Sequence, residues 1–420
     1  MAQPPDRPRT SSIAGLGVLA FLLMLSYSIA RPTTEGMFLK AYGHAGLPVV
    51  WILVTVAVVL VVAIYNHFVD RVELMTLYGT ASLISAVVGA GLLVGLRFGL
   101  AGSHHLLYLW KDLYVVLLVE IFYSHANSVF AIPTARWIYG LFGGLGAVGG
   151  LIGSITVGAL AERVGTTGLL WAVPGILALI WLLCLPLGRV AGSPAPGSSA
   201  PRSSLAGAIR IVARSRYLTL VLILIAVVQV AITLVDFEFN AVVERTFLSE
   251  EQASAAIATV YGAIDAVTLG LHAMTGPVLR LIGVPLTLVM IPVLLAAGLS
   301  VYVAIPLFST VAVVKATSKC LDYSIFRAAK EMLYIPLSFA ERTQGKSMVD
   351  IATYRVAKGG ASLLLLGAVM LGAAAMVPPL TLLLIVLWLL ATWVIVRRFR
   401  ALVSHDEEIR STCRTPLPPT

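Results

Sequence analysis

The side chains that could do chemistry in this chain are charged, and they lie inside apolar runs. The stretch "TLVDFEFNAVVERTF" (233–247) closes the apolar run "YLTLVLILIAVVQVAI" and carries Asp236 and Glu238. A charge in such surroundings is costly unless it is paired or has a task. Gln229, Thr233, Asp236 and Asn240 recur at spacings of four, three and four, which is one face of an α-helix. Asp236 is therefore expected on a polar stripe facing a substrate cavity. Glu238 falls about 200° further round the helix. It reads as structural, with Arg245 as a candidate partner.

Other apolar segments carry similar sets. Tyr27, Arg31, Thr34 and Glu35 share one segment. Glu120, Tyr123 and Asn127 share another, with Lys111 and Asp112 near its end, where a lysine can snorkel to the interface. Tyr261, Asp265, Thr268 and His272 lie on one helical face, and Asp350, Tyr354, Lys358 and Ser362 on another. Lys315, Lys319 and Asp322 share a further segment, where Lys319 and Asp322 are spaced to pair locally. For Asp236 and Glu238 the plainer reading is a structural ion pair holding two helices. A cavity for a lipophilic cation would need an acidic excess, and a sugar site would lean on Asn, Gln and aromatics. Opposed cations with compensating acids suit a multiply charged anion. The substrate-binding candidates are Arg31, Glu35, Glu120, Asn127, Asp236, Asp265, Lys315, Lys319 and Lys358.

Other chemistries have little support. Gly144, Gly146 and Gly149 form a G-x-G-x-x-G, but no strand precedes it as a dinucleotide fold requires. Small residues four apart (Gly146 and Gly150, Gly149 and Gly153) are the mark of closely packed membrane helices. Cys184, Cys320 and Cys413 have no disulfide or metal spacing. His104-His105 reads as a solvated pair in an outer loop. No cofactor, metal, covalent chemistry or nucleotide hydrolysis is expected, so the chain does not read as an enzyme.

The elements that must position these residues are membrane helices. The 420 residues are 59% hydrophobic and 12% charged, against about 25% charged in soluble domains. Apolar runs of about 20 residues, each long enough to span a bilayer, recur along the whole length. The expectation is an all-α membrane protein of twelve transmembrane helices. Their approximate limits are 12–37, 47–68, 73–97, 105–132, 137–161, 166–188, 216–243, 252–279, 284–303, 307–333, 348–376 and 378–397. A Pro/Ser/Gly linker, "GSPAPGSSAPRSS", divides them into two six-helix pseudo-repeats. The domains are then 1–189, a cytoplasmic linker 190–215, 216–400, and a tail 401–420. The linker continues into "LAGAIRIVARSRY", whose arginines suit a cytoplasmic membrane surface.

The net charge of +9 follows topology rather than nucleic acid. Roughly fifteen Lys/Arg fall in one alternate set of loops and tails and about four (Lys40, Arg97, Arg163, Arg245) in the other. This asymmetry places both termini in the cytoplasm of a multi-pass inner-membrane protein. Six plus six helices about a central linker is the arrangement of major-facilitator transporters, whose sites lie at the repeat interface. Asn66, Asp70 and Arg71 in "NHFVDRVEL" resemble that superfamily's short-loop motif, and "GPVLRLIGV" (276–284) occupies the corresponding loop of the second half.

The stretch "DYSIFRAAKEMLYIPLSFAERTQGKSMVDIATYRVAKGGAS" (322–362) resembles the bacterial and plastid-type ADP/ATP translocases, nucleotide transporters on a major-facilitator scaffold. The resemblance runs through Tyr323-Ser324-Ile325-Phe326, Lys330-Glu331-Met332, Tyr334-Ile335-Pro336-Leu337, Gly345-Lys346, Asp350 and Lys358-Gly359-Gly360. It extends to Arg31 and Glu35 in "SIARPTTEGMFL", to Ala126-Asn127, Ala135-Arg136 and Tyr139 in "FYSHANSVFAIPTARWIYGLFG", and to the Asp236 stretch. It implies nucleotide exchange, with Asp236 as the acid and Lys358 as the cation. A family lysine in the first helix falls here on Thr34, leaving Arg31 as the deep cation, and a base after the helix-7 acid is replaced by Asn240. Asp70, Arg71, Arg136, Lys330, Glu331 and Asp350 are expected in gating or structural motifs.

The reading is an alternating-access carrier of a small anionic solute, with nucleotide as the leading class and the lipid bilayer as its surroundings. Arg31 and Lys358 would hold phosphates, and Asp236 would balance Lys358 in the empty site. Two alternatives stay open. One is a proton-coupled carrier of another solute using Asp236, Asp265 or Glu120. The other is a non-transporting membrane assembly or sensor protein.

Overall fold

The computed structural model describes residues 10–69, 71–130, 132–190, 205–334, 337, 338, 341, 346, 349 and 354–412. The expected Asp70 and Asp350 lie outside the described residues. Arg136 is described only as part of a helix.

Among the described residues the chain is helical and contains no strand. The helices are α1 (Thr10–Tyr42), α2 (Leu47–Phe68), α3 (Leu74–Arg97), α4 (Ser103–Val129), α5 (Ile132–Val164), α6 (Thr166–Leu170) and α7 (Ala172–Val190). Then follow α8 (Leu205–Arg214), α9 (Arg216–Thr246), α10 (Glu250–Ala304), α11 (Phe308–Leu321), α12 (Arg327–Leu333), α13 (Tyr354–Met370) and α14 (Val377–Thr412). Among the described residues, eight helical spans are long and apolar enough to cross a membrane. α4 and α11 fall short of that standard, and both carry candidate charges, Lys111, Asp112 and Glu120 on α4 and Lys315 and Lys319 on α11.

Two irregularities bear on the site. α10 runs for 55 residues, about 80 Å if straight, far beyond a hydrocarbon core of about 30 Å. It breaks at Gly283, whose φ of 73° and ψ of 165° are non-helical, a combination that is essentially glycine-only. The loop expected at 280–283 is thus compressed into one residue. The run expected at 307–333 is interrupted by a π turn at Asp322–Phe326, the start of the translocase-like stretch. Such turns often mark functional positions in helices.

The chain forms two compact units, Met1–Ala200 with Asn240–Leu269, and Pro201–Phe239 with Gly270–Thr420. In the first unit α1 packs on α4, α5 and α7, and α3 packs on α4 and α7. Apolar burial does little to hold helices together in lipid, so close backbone approach matters more. A Cβ on Gly149 would lie 2.2 Å from the Phe21 carbonyl oxygen, and one on Gly153 2.8 Å from that of Leu25. The glycine run of α5 is therefore a packing seam against α1, as its four-residue spacing predicts. In the second unit Tyr217 on α9 donates to the Leu333 carbonyl at 3.0 Å, and Phe326 packs edge-on against Trp388 of α14.

Candidate functional site

Among the described residues, each unit holds a cluster of buried charge. In the first, Arg31 lies one turn before Glu35 on α1, with Nε 3.5 Å from Oε1. Pro32 sits between them and removes the backbone hydrogen bond to the Ser28 carbonyl. The Arg31 guanidinium lies over the Tyr261 ring, 3.6 Å from its centroid, and donates to the Tyr261 hydroxyl. Tyr27 flanks it at 5.7 Å. A desolvated cation–aromatic contact is worth about 2 kcal/mol. Asp265, one turn beyond Tyr261 on α10, is within electrostatic range of Arg31. Its Oδ2 lies 3.1 Å from where a Cβ on Gly150 would be, so that glycine makes room for the carboxylate.

Lys111 completes this cluster. It is 1% exposed, and its Nζ is 3.0 Å from Asp112 Oδ1, 3.7 Å from Glu35 Oε1 and 3.8 Å from the Tyr108 ring centroid. Snorkelling does not describe it: two carboxylates and an aromatic face hold the ammonium inside. Glu35 is 6% exposed, and its Oε2 has no hydrogen-bond partner among the described residues.

In the second unit, Asp236 on α9 faces α11. Its Oδ1 lies 3.0 Å from Lys315 Nζ and its Oδ2 2.9 Å from Lys319 Nζ. Lys315 is 1% exposed and Lys319 7%. The two lysines are one turn apart on α11, which lets a single carboxylate engage both. Lys315 Nζ also lies 4.5 Å from the Phe239 ring centroid. Thr233 and Asn240, on the same face as Asp236, are buried.

The expectations are met unevenly. Asp236 and Glu238 do occupy different environments: Glu238 accepts a hydrogen bond from Tyr302 at 2.5 Å and pairs with that phenol, not with Arg245. Lys319 makes an ion pair with Asp236 across helices, and Asp322, three residues on, is within electrostatic range of it as the spacing suggested. Lys358, partly buried on α13, makes no ion pair with Asp236, whose acid is engaged from α11 instead. Glu120 is exposed, and among the described residues it has no ion pair or side-chain hydrogen bond. Asn127 is exposed and accepts a hydrogen bond from Tyr139. Arg71 meets His67 at 3.0 Å, and Glu331 pairs with Lys346 at 2.5 Å. Lys330 lies partly buried on α12.

Sequence reasoning missed a contact set at the ends of α1, α9 and α10. Lys40 donates to the carbonyls of Glu244 and Phe247, capping the C-terminus of α9 from a neighbouring helix. The Glu244 carboxylate accepts from the His44 backbone N–H and lies 2.6 Å from its Nδ1. Thr166 donates to Glu250 at 2.5 Å. His104 and His105 pack against Tyr42 and are not a free solvated pair. Spacing along one chain carries no signal for contacts across 200 residues.

The comparisons with known proteins agree with one another. A profile of the TLC ATP/ADP transporter family matches residues 300–400. ADP,ATP carrier protein 1 of Chlamydia muridarum is 23% identical over 425 residues, covering 83% of this chain and 80% of the relative. ADP,ATP carrier protein 1 of Chlamydia trachomatis is 24% identical over 292 residues, covering 59% of this chain and 55% of the relative. Among solved structures, a variant of the nucleoside transporter NupG superposes with a TM-score of 0.67 at 13% identity, over 93% of this chain and 99% of that one. The POT family transporter PepTSo does so at 0.65 and 10%, over 96% and 99%. In sequence, then, the chain is similar to ADP/ATP carriers over most of its length, and its fold is that of the major-facilitator-type transporters.

Proposed function

We propose that this protein is a carrier that exchanges nucleotides of the ATP/ADP type across a bacterial inner membrane by alternating access. Its scaffold is twelve transmembrane helices in two six-helix pseudo-repeats, 1–189 and 216–400, joined by the 190–215 linker, with both termini in the cytoplasm. The break of α10 at Gly283, together with α4, the α11–α12 run and α13, supports that number beyond the eight apolar spans found among the described residues. Lys315 and Lys319 join Arg31 and Lys358 as the cations that receive phosphate, while Glu35, Asp236 and Asp265 balance them. Asp70, Arg71, Arg136, Lys330, Glu331 and Asp350 serve gating or structural roles. The cargo is moved and not hydrolysed.

The observation that carries this reading is the single carboxylate of Asp236 engaged by two deeply buried lysines. Both lysines fall within the stretch similar to ATP/ADP transporters. Buried ammoniums in pairs are costly, and a polyanion recovers that cost through charge-assisted hydrogen bonds. The test is uptake of labelled ATP and other nucleotides into liposomes containing the purified protein and preloaded with ADP. Internal nucleotide is expected to accelerate uptake. If no internal nucleotide accelerates entry of any external one, the reading fails.

A further inference from the structure

Two ammoniums as deeply buried as Lys315 and Lys319 need counter-charge in every state of the protein. In this structure Asp236 supplies most of it, with one oxygen at 3.0 Å from one lysine and the other at 2.9 Å from its neighbour, and a second acid, Asp322, lies within electrostatic range of Lys319. A phosphate group also presents several oxygens bearing negative charge to paired donors. Carboxylate and phosphate are therefore competitors for the same two nitrogens. A substrate phosphate that enters displaces the carboxylate, and the carboxylate returns when the substrate leaves.

We infer that Asp236 is a built-in stand-in for substrate phosphate, and that it sets the mode of transport by letting the empty carrier change its access. The inference rests on the nucleotide-carrier reading above. A carrier whose empty site holds uncompensated charge is hindered from moving that charge through a low-dielectric barrier, and so transports only by exchange. A carrier that neutralises its own empty site returns without cargo, and so performs net transport beside exchange. Asp236 also competes with the cargo, so removing its carboxylate tightens the binding of phosphate-bearing anions. A residue that simply contacts substrate, or simply supports the fold, has the opposite effect when removed.

The first measurement needs no variant. Liposomes containing the wild-type protein, with equal pH and buffer on both faces, are given labelled ATP outside and either ADP or no nucleotide inside. Uptake into nucleotide-free vesicles is expected, and internal ADP accelerates it. Wild-type uptake that depends wholly on internal nucleotide overturns the inference. In Asp236→Asn, the ratio of uptake by nucleotide-free vesicles to uptake by ADP-loaded vesicles falls at least about tenfold. Binding of inorganic pyrophosphate to the detergent-solubilised variant, measured by thermophoresis, tightens at least about tenfold. Asp236→Glu, which keeps the carboxylate, recovers both quantities. An unchanged ratio, or weaker pyrophosphate binding in Asp236→Asn, overturns the inference. If the wild type exchanges no nucleotide but pyrophosphate binding still tightens in Asp236→Asn, the nucleotide reading falls. The stand-in role of Asp236 then holds for another phosphate-bearing anion.

Discussion

At the scale of single residues, the behaviour of the second cluster follows from counting its charges. Asp236 is shared by Lys315 and Lys319, so losing the acid differs from losing one base. Breaking a buried pair by removing one partner costs roughly 3 kcal/mol. Asp236→Asn is expected to approach that figure in thermal unfolding of the empty, detergent-solubilised protein, because two ammoniums lose their shared carboxylate. Lys315→Met leaves a one-to-one pair with Lys319 and is expected to cost less. Adding Lys315→Met to Asp236→Asn recovers part of the loss. A double variant less stable than Asp236→Asn alone would show that Lys315 contributes mainly through packing against Phe239. Glu238, two residues away, differs because its partner Tyr302 is a neutral donor.

At the scale of elements, the α1–α5 seam shows what decides how a glycine is used. Gly144, Gly146 and Gly149 belong to one motif, but their surroundings differ. A Cβ on Gly149 would meet the Phe21 backbone at 2.2 Å, one on Gly146 would meet Met24 Cγ at 3.2 Å, and one on Gly144 would meet nothing within 4 Å. Gly144→Ala is therefore expected to leave stability unchanged or raise it by up to about 1 kcal/mol through helix propensity. Gly149→Ala separates the two helices and lowers the unfolding midpoint. Side-by-side thermal scans of the two variants check this, and equal effects would contradict a packing role for the seam. The spacing of small residues made the seam legible in the sequence. Which glycine bears on the backbone depended on the rotation of α5 about its axis.

At the scale of the whole molecule, the proposed orientation rests on charge asymmetry between loops, and the structure supplies sites where it can be measured. Leu248 lies between α9 and α10, and Leu281 lies just before the break in α10. They are 91% and 85% exposed. The proposed cytoplasmic placement of both termini assigns Leu248 to the outer face and Leu281 to the inner. In a cysteine-free background, Leu248→Cys is expected to react with a membrane-impermeant maleimide added to intact cells. Leu281→Cys should react only after the cells are opened. The reverse pattern would invert the proposed topology.

The sequence alone determined the solvent in which this chain folds, the helical class, and the family it resembles. Each depends on quantities local to the chain: apolar run length, the 3.6-residue period and short motifs such as the Lys330–Lys358 stretch. The same period separated Asp236 from Glu238, because two residues 200° apart cannot share a face. Only the tertiary structure decided the partners. Asp236 turned to Lys315 and Lys319 rather than Lys358, Glu238 to Tyr302 rather than Arg245, and Lys111 inward to Glu35 and Asp112. Periodicity specifies the face a side chain occupies. Which helix packs against that face, at what height, depends on close contacts such as Gly149 on Phe21, which involve residues far apart in the chain.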